Sequence, residues 1–350
     1  MTEVSRRGCC LSKSFKNASR GPSLETTVES DSVLSSNQHT LASSGVSPIL
    51  DASTTLVFVD WDDTLFPSTE IFDRWGFQLR SETDHNDHIT AEQQRLLGLW
   101  RKSLQRFVMA MVEFSQHCAI VTNAEAMWVE NCLHRFAPEV LEVIEEQGGP
   151  TILHAKDVLR SLRSKKIIWQ HDEICLPARH LDVYREDDFQ HFKHVEMSAA
   201  KYQAMRLEFH RVFGEKISER CNLINFGDME YEHEAVLELG MRLSELRAEP
   251  HVKSFLLPEA PKITELAIRL DLLRLLLPAI ISLDGDISLN LKEWCSGYMC
   301  TPMALLSKAL RMPDLEKIEM PHAFGLGPPP SEDEVTDSLQ EVAAALASRF

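Results

Sequence analysis

A short apolar run that ends abruptly in carboxylates constrains this chain more than any other feature. Thr55–Val59 is rich in β-branched residues and shows no polar alternation, which predicts a strand buried on both faces of a sheet. Asp60, Asp62 and Asp63 follow this run directly. Because ligands bind beyond the carboxyl ends of strands in open parallel sheets, we expect these carboxylates to lie in a ligand crevice.

Similar apolar runs recur along the chain and alternate with helical patterns. The runs are 118–121, 151–153, 221–226 and 252–257, and three-to-four spacing predicts helices at 90–112, 124–136, 195–213, 232–239 and 262–277. Strands that alternate with helices are typical of parallel βαβ units. The sequence therefore predicts an α/β fold with a doubly wound parallel sheet.

Composition and charge exclude several classes of protein. The 350 residues are 44% hydrophobic and 25% charged, which is typical of a globular chain with a sizeable core. The net charge of −17 argues against a nucleic-acid partner, which would need a basic surface. The best membrane candidate, 270–283, is shorter than the ~20 residues of a spanning helix and is interrupted by Asp271, Arg274 and Pro278. We therefore expect no membrane span.

Cysteine usage and the first residues bear on the compartment. The eight cysteines form no Cys-x-x-Cys pair, and the polar start of the chain lacks the apolar segment of a signal peptide. Both features predict reduced thiols and an intracellular, cytoplasmic protein. The basic character of the first twenty residues keeps organelle targeting open as an alternative.

The chain is expected to divide into three parts. Residues 1–50 are Ser-rich without hydrophobic periodicity and predict a disordered arm. Residues 51–320 carry the strands and helices of one domain, in which 66–117 predicts a flap with one long helix, a small cap at most. Residues 321–350 predict a Pro-rich linker and an acidic terminal helix. A partner protein, if there is one, would bind these tails.

Two further strand ends carry groups suited to the same crevice. The run 118–121 ends in Thr122, whose hydroxyl at the start of the predicted helix 124–136 suits an anion. The run 221–226 ends in Gly227 and Asp228, with Glu232 four residues later. Neighbouring carboxylates repel one another, and hard oxygen ligands favour Mg²⁺ as the cation that would relieve this repulsion.

These segments together resemble the haloacid dehalogenase-like superfamily of phosphohydrolases over about residues 54–260. The matching positions are Asp60, Asp62 and Thr64 in Asp-x-Asp-x-Thr, then Thr122, a lysine, and finally Gly227, Asp228 and Glu232. The segments 60–68 and 122–125 are also similar to a poorly characterised protist, algal and plant subgroup. The resemblance implies a Rossmann-like core and a Mg²⁺-dependent phosphatase. Trp61 is bulky for its position and either shapes substrate entry or packs.

The resemblance implies a catalytic role for four residues. Asp60 would attack phosphorus and form an aspartyl-phosphate, and Asp62 would protonate the leaving group and then activate water. Thr122 and a lysine would hold the phosphoryl oxygens. Lys201 fits the family position best, with Lys193 as the second choice.

The resemblance also implies the metal ligands and the substrate class. Mg²⁺ would be held by the carboxylate of Asp60, the backbone carbonyl of Asp62 and Asp228. Glu232 would contact the metal through water or through another ligand. The substrate would be a phosphorylated small molecule or protein.

Two other functions remain open at this stage. The same fold could serve as a catalytically inactive binding or scaffold protein, for which the tails would provide contacts. A phosphotransferase such as a sugar-phosphate mutase is less favoured, because it needs a closed, dry site and the expected cap is small. Release of inorganic phosphate separates the phosphatase from both.

Overall fold

The fold is described from a computed structural model that covers residues 52–78, 89–164, 189–214, 220–245, 249–292 and 301–348, without the side chains of 189–192. The predicted arm of residues 1–50 lies outside these ranges. The strands are β1 Thr55–Val59, β2 His117–Thr122, β3 Thr151–His154, β4 Arg220–Gly227, β5 Glu249–Leu256 and β6 Ile287–Asn290. The helices are α1 Ala91–Phe114, α2 Trp128–Phe136, α3 Pro138–Glu145, α4 Ala155–Ser164, α5 Phe189–Phe213, α6 Glu230–Glu245, α7 Ile263–Ser282, α8 Pro302–Leu310 and α9 Glu332–Ala347.

The six strands form one parallel sheet in the order β3-β2-β1-β4-β5-β6. The chain builds outward from β1 to β3 and then returns to place β4 on the other side of β1. Val59 accordingly pairs with Ile120 of β2 on one side and with Phe226 of β4 on the other. The predicted α/β fold with a doubly wound parallel sheet is confirmed, and its switch point lies between β1 and β4.

Each face of the sheet carries its own hydrophobic core. Val57 and Val59 of β1 belong to the cluster under α1, α3, α7 and α8, whereas Leu56 and Phe58 belong to the cluster under α4, α5 and α6. This alternation follows from the two-residue period of a strand. It explains why all five residues of β1 are buried and why the run shows no polar alternation.

The long helix α1 packs against α7 as part of the layer on one face of the sheet. Thr90 accepts a hydrogen bond from the backbone of Gln93, whose side chain accepts from the backbone of Thr90, so a capping box begins the helix. Trp100 and Phe107 lie on the buried face of α1. Between β1 and α1, the described part of the flap is residues 66–78, which contain the π-helical turn Thr69–Arg74.

Several elements differ from the sequence-based expectation. The predicted helix start at residue 124 is wrong, because Met127 adopts a left-handed conformation (φ 65°) and α2 begins only at Trp128. The helix predicted for 262–277 continues through Pro278 to Ser282. The strand β6 and the helices α3, α4 and α8 were not predicted.

The last two long helices complete the cluster under α1. Arg269 and Asp271 are buried within α7, where protein groups bind both side chains. The predicted terminal helix α9 begins with a capping box at Ser331 and packs on α7 through Val342 and Leu346. Among the described residues, no helix combines the length and the apolar character that crossing a membrane requires.

Candidate functional site

The predicted site residues meet at the carboxyl edge of the sheet, beside the switch point. Asp60 follows β1, Thr122 ends β2 and Asp228 follows β4. The backbone N–H of Asp60 donates to the carbonyl of Phe226 at 2.9 Å, which extends the β1–β4 pairing by one residue. This bond holds the Asp60 carboxylate next to the end of β4, where it is 6% exposed.

Lys201 of α5 reaches the same point from the layer of helices. Its side chain is 1% exposed, and Nζ lies 2.5 Å from Asp60 Oδ1 and 2.9 Å from Glu232 Oε1. Nζ also donates to the backbone carbonyl of Val121, so two hydrogen bonds and the ion pair with Glu232 hold the ammonium group. Lys193, the second choice from the sequence, is exposed on the same helix and does not join this cluster.

Three buried carboxylates form the centre of the site. One ligand atom from each of Asp60, Asp228 and Glu232 lies within 4.8 Å of the others. Lys201 supplies one positive charge against three potential negative charges, so full ionisation leaves two charges uncompensated. A divalent cation would neutralise both, and oxygen donors of this kind suit a hard cation. The acidic cluster can therefore bind a metal ion.

The electrostatics of the cluster follow from its burial. Burial raises the pKa of Asp60 and of Glu232, and Lys201 opposes the rise at both carboxyl groups. Burial, together with the charge of Asp60, raises the pKa of Asp228 to about 8. Burial disfavours the Lys201 ammonium, but Asp60 and Glu232 outweigh it and raise the lysine pKa. Added positive charge would thus favour the ionised carboxylates.

Gly227 is required by the close approach of Glu232. A Cβ atom at position 227 would lie 2.1 Å from Glu232 Oε2, far inside van der Waals contact. The backbone N–H of Met229 donates to the same oxygen at 3.3 Å. Glu232 therefore folds back from the first turn of α6 over the end of β4, and any side chain at 227 would displace it.

Asp62 lies next to the acidic cluster with a different set of partners. Its Oδ1 accepts hydrogen bonds from Ser68 Oγ at 2.6 Å and from Trp128 Nε1 at 3.0 Å. Its Oδ2 is 3.5 Å from the hydroxyl of Thr122. Two donors fix one carboxylate oxygen, while the other faces Thr122.

Asp63 anchors the flap to the site. It has a left-handed backbone (φ 55°), and its carboxylate accepts from the backbone N–H of Thr69 at 3.0 Å and from the Thr69 hydroxyl at 2.5 Å. Burial raises the pKa of Asp63, and the bonds from Thr69 oppose the rise. At the other end of the flap, Arg74 Nη2 donates to the carbonyl of Ala260 at 2.8 Å. The flap is thereby tied to the loop after β1 and to the loop between β5 and α7.

The sequence left the role of Trp61 open and placed Thr122 at the start of a helix. Trp61 is fully buried and stacks on Phe66, with ring centroids 5.4 Å apart, so it packs in the core. Thr122 Oγ1 accepts the N–H of Ala124 at 3.0 Å and caps a turn, since α2 starts further along the chain. A turn rather than a helix therefore follows Thr122 directly.

Some residues at the site carried no signal in the sequence. Tyr231 lies in the first turn of α6, near the carboxylates of the cluster. Burial and the charges of these carboxylates raise the pKa of its phenol. Its ring packs edge-on against His194, with centroids 5.9 Å apart, and His194 Nε2 lies 2.9 Å from Glu234 Oε2. The hydrogen bond with Glu234 raises the pKa of His194. Trp128 was likewise not anticipated.

Comparison with known proteins adds no relative of this chain. No family model matches it, and neither a curated protein nor a solved structure matches it. The similarity to haloacid dehalogenase-like enzymes therefore depends on the sequence motifs alone. Chemical conclusions must come from the geometry of the site.

Proposed function

We propose that this protein is a Mg²⁺-dependent phosphatase that acts through an aspartyl-phosphate on Asp60. One observation carries the proposal. Buried Lys201 bridges Asp60 and Glu232 beside Asp228, at the switch point of a parallel sheet. A buried nucleophilic carboxylate needs nearby positive charge to stay ionised and to approach an anionic phosphate. The ammonium group of Lys201 provides one such charge, and Mg²⁺ would provide the rest.

In the first step, a carboxylate oxygen of Asp60 attacks the phosphorus atom of a phosphate monoester. The bond between phosphorus and the leaving oxygen breaks, and Asp62 gives its proton to that oxygen. Ser68 and Trp128 both donate to Asp62 Oδ1, which leaves Oδ2 as the oxygen that carries the transferred proton. Lys201 holds Asp60 in place and stabilises its ionised form.

In the second step, Asp62 takes a proton from a water molecule that attacks the aspartyl-phosphate. The bond between phosphorus and the Asp60 oxygen breaks, inorganic phosphate leaves, and the Asp60 carboxylate is regenerated. Thr122 lies beside Asp62 Oδ2 at 3.5 Å and can bind an oxygen of the phosphoryl group.

The donor set fits Mg²⁺ at this site. Asp60, Asp228 and the backbone carbonyl of Asp62 would hold the ion, with Glu232 acting through Lys201 or through water. When bound, Mg²⁺ would neutralise the phosphate and weaken its repulsion from the nucleophile. The two charges that Lys201 leaves uncompensated support this requirement.

Membership of the haloacid dehalogenase-like superfamily is part of the proposal, as is a phosphorylated small molecule or protein as substrate. The motif positions Asp60, Lys201, Asp228 and Glu232 lie within one buried cluster, which supports it. A cytoplasmic location belongs to the same proposal. The competing function is a binding or scaffold protein that holds Mg²⁺ without turnover.

The test is release of inorganic phosphate from para-nitrophenyl phosphate by the full chain. We expect release with Mg²⁺, none with a chelator, and a loss of roughly 10³-fold or more in Asp60→Asn. Asp73→Asn is the matched control, because Asp73 is an exposed carboxylate on the flap. It should keep its full rate.

Two results would contradict the proposal. If the folded chain binds Mg²⁺ but releases no phosphate from any ester in a broad panel, the binding protein is favoured. If Asp60→Asn and Asp73→Asn retain equal rates, Asp60 is not the nucleophile.

A further inference from the structure

A cleft of about 660 Å³ lies between α1, α7 and α9, and none of the proposed site residues lines it. Its apolar wall includes Leu99 of α1, Ile268 of α7 and Leu339 of α9. Small-molecule pockets typically measure ~300–1,000 Å³ and combine an apolar wall with a few polar groups. The cleft has the size and the lining of such a pocket.

The charge around the cleft is opposite to that of the whole chain. The protein carries a net charge of −17, yet four cationic side chains and only two acidic ones line the cleft. They are Arg95, Lys102, Arg106 and Arg274 against Asp271 and Glu332. Arg95 is paired with Glu332 and with Glu92 outside the cleft, and Arg274 with Asp271, so the excess is centred on Lys102 and Arg106. A local excess of positive charge beside an apolar wall favours an anion that also has an apolar body.

One of the cations is fixed in place by a buried acid. Asp271 Oδ2 accepts from Ser103 Oγ at 2.7 Å and from Arg106 Nη2 at 2.7 Å. The Arg106 side chain is nevertheless 54% exposed, so one nitrogen is anchored while about half of the side chain faces the solvent. Lys102 stands exposed one turn before it on α1. A preorganised arginine beside a lysine suits a carboxylate head.

We infer that this cleft binds an amphipathic anion, an alkyl chain ending in a carboxylate, taken up as a monomer. The alkyl chain would lie along Leu99, Ile268 and Leu339, and the carboxylate would meet Lys102 and Arg106. A membrane surface is the less favoured source of the same chemistry. Four exposed acids of α9 that do not line the cleft would repel anionic lipids; they are Asp333, Glu334, Asp337 and Glu341. This inference is independent of the phosphatase proposal.

The test uses the full chain and two probes, anilinonaphthalenesulfonate and dodecanoate. The fluorescent sulfonate should bind saturably at one site, and dodecanoate below its micellar concentration should displace it. Dodecyltrimethylammonium, with the same chain and the opposite charge, should not compete. Vesicles containing phosphatidylserine should not bind the protein.

Paired variants locate the site. Ala343 lines the cleft from α9 and is exposed, whereas its exposed neighbour Ala344 does not line it. We expect Ala343→Trp to weaken dodecanoate binding by about tenfold or more, equivalent to about 1.4 kcal/mol, and Ala344→Trp to leave it unchanged. Lys102→Glu should weaken binding similarly. Lys308→Glu, which reverses the charge at an exposed position on α8, is the control and should leave binding unchanged.

Four outcomes would overturn the inference. These are the absence of saturable binding, equal competition by the cationic amphiphile, affinity that survives both Ala343→Trp and Lys102→Glu, and binding to anionic vesicles but not to monomeric dodecanoate. Thermal unfolding of each variant checks that its fold is retained. If Ala343→Trp does not fold, Lys102→Glu alone decides, because Lys102 is exposed.

Discussion

Replacing Lys201 with methionine removes the ammonium at the centre of the site and keeps the length of the side chain. Lys201 is 1% exposed and lies 2.5 Å from Asp60 and 2.9 Å from Glu232. Removing one partner of a buried ion pair costs about 3–5 kcal/mol, because it leaves buried charge uncompensated. We expect Lys201→Met to lower the free energy of unfolding by about that amount at neutral pH.

The loss should depend on pH and on metal. Burial raises the pKa of Asp60 and of Glu232, so at acidic pH both are protonated and the lysine has less charge to compensate. The defect should therefore shrink as the pH falls. Mg²⁺ should restore part of the stability at neutral pH, since it binds only the folded cluster.

Urea unfolding with and without Mg²⁺ measures both effects. Lys193→Met on the same helix is the control, and as an exposed substitution it should change stability by less than about 0.5 kcal/mol. Equal stability of Lys201→Met and Lys193→Met would refute the reasoning, because the buried cluster would then not need its lysine.

Three further changes test separate parts of the site. Gly227→Ala places a Cβ atom 2.1 Å from a Glu232 oxygen and would displace that side chain from the acidic cluster. The Mg²⁺ affinity measured by calorimetry should therefore fall by about 10-fold or more, and an unchanged affinity would contradict the close approach. Trp128→Phe removes a 3.0 Å hydrogen bond to Asp62, the proposed proton donor. Turnover of alkyl phosphates should fall about 10-fold, and turnover of para-nitrophenyl phosphate should fall less because its leaving group needs less protonation; equal losses would contradict the proposed proton transfer. The hydrogen bond that His194 donates to the Glu234 carboxylate raises the pKa of His194 above 6.5, so this pair stabilises the fold below pH 6.5 and the effect is lost as the pH rises through the folded pKa. His194→Gln should therefore cost about 1 kcal/mol more in urea unfolding at acidic pH than at alkaline pH; a loss that does not change with pH would contradict this assignment.

The elements that the sequence predicted are those whose determinants are local. β1 is recognisable because every residue from Thr55 to Val59 is apolar or β-branched, which reflects burial on both faces. The start of α1 at Thr90 and of α9 at Ser331 follows from side chains three residues apart. The parallel sheet then places Asp60 and Asp228 at one edge, because all strand ends point the same way.

Other features depend on contacts between distant parts of the chain. Asp62 and Trp128 are 66 residues apart, and no local pattern predicts their hydrogen bond. Met127 delays the start of the expected helix to Trp128 through a left-handed backbone conformation that its side chain does not encode. β6 is short and only partly buried, which gives it a weak pattern. Missed signals did exist for α3 and α8, since both carry proline in the first turn.

The most direct test of Asp60 as the nucleophile needs no knowledge of the substrate. Trifluoroberyllate bonds to a carboxylate oxygen and has the tetrahedral shape and charge of a phosphoryl group. With Mg²⁺ present, it should raise the thermal unfolding midpoint of the full chain, and the rise should vanish with a chelator and in Asp60→Asn while persisting in Asp73→Asn. A rise that survives in Asp60→Asn, or no rise with Mg²⁺ in the unmodified protein, would contradict an aspartyl-phosphate at Asp60.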